Sequence, residues 1–99
     1  MRRTLPALAV ALALAGCGAG SGAAAGTPKA TFAGTCGSCH TLGDAGTTGT
    51  FGSNLDRLRP DRARVLAAVA DGPGAMPAGL FKPARAGAVA GYVAAVAGR

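Results

Sequence analysis

Apolar positions along this chain form one near-continuous run and three periodic stretches. The run covers Leu5–Ala15, eleven residues, which is too short to span a bilayer. The first periodic stretch is KATFAGTC, starting at Lys29, where Phe32 and Cys36 stand four apart and share a helix face. The second, RPDRARVLAAVADG, is the clearest helix. Pro60 and Asp61 mark its start, Gly72 marks its stop, and Val65, Leu66 and Val69 form its apolar stripe. The third, PARAGAVAGYVAAVA, opens on Pro83, which suits a first helical turn, and sets Val89, Tyr92, Val93 and Val96 on one face. Gly87 and Gly91 lower its helix propensity but lie on one side, where they leave room for another helix to approach. Between these stretches, TLGDAGTTGTFGSN reads as an extended loop anchored by Leu42, Phe51 and Leu55, and PGAMPAG as a tight loop. No strand and no internal repeat is evident. The pattern predicts an all-α domain of about three to four short helices with long loops.

Composition sharpens this picture. Among 99 residues there are 17 glycines, three Phe, one Tyr and no Trp, so the apolar positions are mostly small. A domain with so little apolar area needs a staple: a disulfide, a metal or a large bound cofactor. The N-terminal run follows Arg2 and Arg3 and ends in LAGC, Leu14–Cys17. This order matches a signal peptide, and LAGC resembles the lipobox of bacterial lipoproteins. Cleavage before Cys17 makes residues 1–16 a leader and Cys17 the lipidated residue, with an ordinary signal peptide as the alternative. Residues 17–28 are an uncharged Gly/Ala tether reaching roughly 20 Å. Residues 29–99 are then the folded domain, exported and anchored to the outer face of the cytoplasmic membrane or in the periplasm by its acyl chains. Ten Lys and Arg oppose four acidic residues; losing Arg2 and Arg3 leaves eight against four, a net charge of +4. That balance favours an acidic partner or anionic headgroups. It is no nucleic-acid signature, because no aromatic–basic binding motif accompanies it.

The remaining two cysteines fall in TCGSCHTLG, Thr35–Gly43. Zinc needs four ligands, and after Cys36, Cys39 and His40 the chain has no further Cys or His. A thioredoxin-like dithiol needs strands that are not evident here. A plain disulfide stays open. Covalent haem fits best, since C-x-x-C-H is the c-type attachment pattern: Cys36 and Cys39 for the two thioethers, His40 for the proximal face of the iron. His40 is the only histidine, so a second histidine ligand from the same chain is excluded. Met76, in GAMP, is the thioether left for the distal face, with Lys29 and Lys82 as remote substitutes.

With these motifs, the stretch from about Lys29 to Gly98 resembles a small class I bacterial cytochrome c. CGSCH matches the attachment site, GAMP the Met-Pro loop, and FGSNLDRL the segment between them. The short first helix and Gly91 beside Tyr92 depart from the family pattern. The resemblance implies a cytochrome c-like fold wrapped around one covalent haem c. It implies that the first and last helices cross with Phe32 and Tyr92 near the crossing. It implies a pocket lined by Leu42, Phe51, Leu55, Leu58, Leu66, Val69, Leu80, Phe81 and Val93. The function implied is one-electron transfer by a monomer between redox proteins of oxidase, reductase or dehydrogenase type, not enzymatic catalysis. The rivals are a gas-binding or sensing haem protein with a labile Met76, and a lipoprotein whose CGSCH pair is only a disulfide. The cluster Arg57, Arg59, Arg62 and Arg64 reads either as a solvated face or as a dock for an acidic partner.

Because the porphyrin is the largest apolar object available to so thin a chain, the Cys36→Ala/Cys39→Ala variant should be largely unfolded. Circular dichroism checks this; native helicity with a cooperative melt in the haem-free variant contradicts it.

Overall fold

The computed structural model describes residues 26–99. The leader, Cys17 and most of the tether lie outside the described residues. Helix α1 spans Pro28–Thr31. Thr27 caps it, its hydroxyl accepting from the Ala30 N–H at 3.1 Å, and Pro28 occupies the first turn, where its missing N–H costs nothing. The helix continues as a π-helical turn over Phe32–Cys36, closed by the Gly37 N–H donating to the Phe32 carbonyl at 2.9 Å. Such turns are rare and occur frequently at functional sites.

After this turn the chain departs from the expected featureless loop. β1 (Thr41–Leu42) and β2 (Thr47–Thr48) pair antiparallel, Thr41 opposite Thr48 and Leu42 opposite Thr47, around a short 3₁₀ turn at Gly43–Ala45. The cause is Thr47, whose hydroxyl donates to the His40 carbonyl at 2.9 Å and accepts from the Leu42 N–H at 3.0 Å. Side-chain bonds thus close a hairpin too short to announce itself by alternation.

Helix α2 (Leu55–Leu58) is capped by Asn54, and α3 (Arg62–Asp71) by Asp61, whose carboxylate accepts from the Arg64 N–H at 2.8 Å. Gly72 ends α3 in the left-handed conformation, as its position in the sequence predicts. A Cβ at Gly72 would stand 2.6 Å from the Met76 carbonyl oxygen, so this glycine also lets the Met76 loop fold back on the helix end. Helix α4 covers Pro83–Val96.

The core lies where α1 and its π turn meet α4 over the hairpin. Phe32, Leu42, Val89 and Val93 are almost fully buried, joined by Leu55 and Ala97. Phe32 and Tyr92 meet edge to face with ring centroids 6.4 Å apart, as the resemblance implied. Ala86 and Ala90 are buried beside Val89 and Val93, so the inward face of α4 is wider and smaller-featured than its valines alone suggest. The Gly87/Gly91 side receives a side chain rather than a helix backbone: a Cβ at Gly87 would stand 2.8 Å from the Arg62 guanidinium, and one at Gly91 4.0 Å from Arg62 Nε.

Asp56 joins three segments. Its carboxylate accepts from the Gly43 N–H and from the Gly98 N–H, each at 2.8 Å. Arg59 completes the clasp by donating to the Gly98 carbonyl at 3.2 Å. To do so it caps α2 at φ 48°, an uncommon backbone position for a residue with a Cβ. The N–H groups of Gly98 and Gly43 hold the Asp56 carboxyl below the usual carboxylate range. Stability from this shift is therefore complete above the ordinary carboxylate pKa of about 3.9 and is lost as pH falls through the lower folded value. The Asp56→Asn variant should melt below wild type near pH 7, and the gap should close under strong acid. Melting temperatures across that range check it; a gap independent of pH contradicts it.

Candidate functional site

The CGSCH segment leaves the π turn of α1 through a tight turn, with the Cys39 and His40 N–H groups both donating to the Cys36 carbonyl. The hairpin then wraps it. Thr47 binds the His40 carbonyl, Thr41 Oγ1 donates to the Gly49 carbonyl, and the Gly52 N–H donates to the Cys39 carbonyl at 2.7 Å. Little space remains between the layers. A Cβ at Gly49 would stand 2.6 Å from the Cys39 carbonyl carbon, and one at Gly37 would run into the Thr47 methyl.

His40 is fixed on two sides. Its Nδ1 lies 2.8 Å from the Ser53 carbonyl oxygen, an acceptor that requires the proton on Nδ1. The neutral ring then presents Nε2 as its lone-pair nitrogen, the arrangement typical of a metal-binding imidazole. Gly52 lies flat against the ring, since a Cβ there would be 2.6 Å from Cε1. Cys36 and Cys39 form no disulfide with each other. Burial first, and the neighbouring Cys39 second, push the Cys36 thiol up to about 11. Dithiol redox catalysis needs the opposite shift, toward thiolate at neutral pH.

Two adjoining cavities, of about 190 and 500 Å³, open beside this segment and share Cys36, His40, Ser53, Pro73 and Met76 on their walls. The larger adds Cys39, Phe51 and Leu80; the smaller adds Phe32, Leu55, Leu58, Val69, Val89 and Val93. Met76 arrives from the loop after α3, which two bonds fold tightly: Met76 N–H to the Pro73 carbonyl at 3.1 Å, and Gly79 N–H to the Val69 carbonyl at 2.9 Å. The structure thus sets two thiols, an imidazole with a free Nε2 and one thioether around largely apolar walls. That donor set and volume suit a large flat iron-bearing ring attached by its edge. Among the described residues, no three His, Cys, Asp or Glu side chains converge as ligands for a bare metal ion.

Three residues expected on the walls stand elsewhere. Leu42 is fully buried in the core beside the hairpin, and Phe81 packs against that core from outside. Leu66 is half-buried one position round α3, where Val65, Ala68 and Val69 take the cavity-facing places. Ser53 and Gly52 were not legible as site residues. One contributes only a backbone carbonyl and the other only the lack of a side chain. The arginine cluster is divided: Arg59 binds the Gly98 carbonyl, Arg62 lies over Gly87, and Arg64 is the single Lys, Arg, Asp or Glu on either wall.

Residues 23–93 match the family described as cytochrome C oxidase, cbb3-type, subunit III. Among solved structures the chain is similar to the c-type cytochrome SorU from Sinorhizobium meliloti, at 49% identity and a TM-score of 0.63, over 65% of this chain and 75% of that one. No curated protein matches.

The contact at Gly52 leads to a prediction. Gly52→Val forces the His40 ring from the Ser53 carbonyl, and overpacking of this kind costs about 1–3 kcal/mol. The melting temperature of the haem-loaded protein should fall by roughly 5–15 °C, with a shifted reduction potential. An unchanged melt and potential contradict the placement of Gly52 against the ring.

Proposed function

The chain belongs to the cytochrome c family described as cytochrome C oxidase, cbb3-type, subunit III, and on that premise we propose that it is a membrane-tethered one-electron carrier. Its fold is cytochrome c-like and its cofactor is one covalently bound haem c with iron. Family membership places it among exported, periplasmic or membrane-associated proteins. Tethering through a lipidated Cys17 rests on the leader and the LAGC motif alone.

The observation that carries the carrier reading is the pairing of His40 and Met76 on the shared wall of both cavities. The bound haem supplies a reversible one-electron iron couple. Cys36 and Cys39 would tether it, and His40, held by the Ser53 carbonyl, would give Nε2 to one face of the iron. Met76 would give its thioether to the other. The tight loop from Gly72 to Gly79 restrains that thioether, which favours a ligand that stays in place in both oxidation states. Phe32, Val89 and Val93 back the smaller cavity with buried apolar surface.

The rival in which Met76 dissociates and gas binds is separated by one experiment. A firm Met76 makes the reduced protein refractory to carbon monoxide, whereas Met76→Ala should bind it readily and show a lower reduction potential. Carbon monoxide binding to the reduced wild type, or a variant with unchanged potential, overturns the His40/Met76 assignment.

A further inference from the structure

Three contacts around the CGSCH segment share one spacing. The Gly52 N–H donates to the Cys39 carbonyl at 2.7 Å, His40 Nδ1 donates to the Ser53 carbonyl at 2.8 Å, and the Gly43 N–H donates to the Asp56 carboxylate at 2.8 Å. Each joins residues 13 positions apart. A constant offset means that segments 39–43 and 52–56 lie side by side, run in the same direction and keep one register. Leu42 and Leu55, between the outer rungs, are buried in the same core cluster. The last rung is supplied by a single side chain. Its carboxylate is held on both oxygens, because the other accepts from the Gly98 N–H at 2.8 Å, and Arg59 donates to the Gly98 carbonyl. Asp56 therefore pins the register to the end of α4. Ser53 has less to hold it, being exposed and placed between Gly52 and the cap of α2.

Resting on the carrier reading above, we propose that Asp56 is a positioning residue for His40: by holding Gly43 it keeps the Ser53 carbonyl within hydrogen-bonding distance of Nδ1, and so sets how strongly the ring donates to iron. A carbonyl that accepts from Nδ1–H raises the basicity of the opposite nitrogen. A stronger donor favours the higher oxidation state of the iron, so the rung holds the reduction potential down. Asp56 lines neither cavity and acts only through the register.

Gly43→Pro removes the rung and keeps the charge. Gly43 opens the 3₁₀ turn and follows Leu42 at φ −148° and ψ 108°, a backbone that a following proline favours. Asp56→Asn removes the charge as well. In the reduced haem-loaded protein, proton NMR reads exchange of the His40 Nδ1 proton with solvent, and voltammetry reads the potential. Both variants should speed that exchange by about tenfold or more and raise the potential. Thr27→Ala, which uncaps α1 outside both segments, should move neither. Wild-type exchange in Gly43→Pro overturns the proposal. So does an Asp56→Asn variant that raises the potential with exchange unchanged, since the carboxylate then acts by its charge alone. Both of those outcomes leave the carrier reading standing, whereas absence of a reversible couple in the wild type overturns that reading itself.

Discussion

The hydrogen bond from His40 Nδ1 to the Ser53 carbonyl is the contact on which the site depends. It sets the tautomer, hence which nitrogen keeps a lone pair for a metal, and it can form only if the chain after His40 turns back on itself. The hairpin makes that return. Thr47 ties the His40 carbonyl, Gly52 ties Cys39 and packs flat on the ring, and Asp56 holds Gly43 at the far end. Each of these contacts is short, and together they draw residues up to 13 positions apart around the motif. The glycines here are required by close approach of backbone to backbone or ring, so their number reflects the tightness of the wrap.

The same economy explains the core. Few large side chains are fully buried, and α4 offers alanines where a larger domain would offer leucines. Small residues let α4 lie close to α1 and to the cavity wall, but they bring little apolar area of their own. The interior surface of the domain is therefore completed by the cofactor. Phe32 serves both sides at once: it packs edge to face on Tyr92 and lines the smaller cavity. Tyr92 in turn donates to Asp44 in the 3₁₀ turn, which joins the helix crossing to the hairpin. Burial, with that bond second, pushes the Tyr92 hydroxyl well above its ordinary range.

How much of this was legible in the sequence follows from the range of each signal. The ends of α3 and the start of α4 were readable because Asp61, Gly72 and Pro83 act within one turn of themselves, whereas Pro28 was read as tether although it opens α1. Cys36, Cys39 and His40 were readable because their chemistry fixes their spacing, and Met76 because His40 has no competitor in the chain. Leu42, Leu66 and Phe81 were placed on the wall because an apolar residue beside a motif looks the same whether it faces the cavity or the core. The Asp56 clasp and the seat of Arg62 on Gly87 are tertiary, made by residues 13 to 42 positions apart, while the π turn and the Thr41–Thr48 hairpin are geometry without a composition. The Ser53 carbonyl could belong to any residue, and so leaves no trace in the side-chain pattern.

In the carrier reading His40 and Met76 would hold the haem iron between them. Proton NMR of the reduced protein with methyl-labelled Met76 tests it most directly. A thioether held over the ring face places the Met76 methyl resonance far upfield, where the ring current shifts it. A Met76 methyl at the ordinary position of a core methionine would contradict the account.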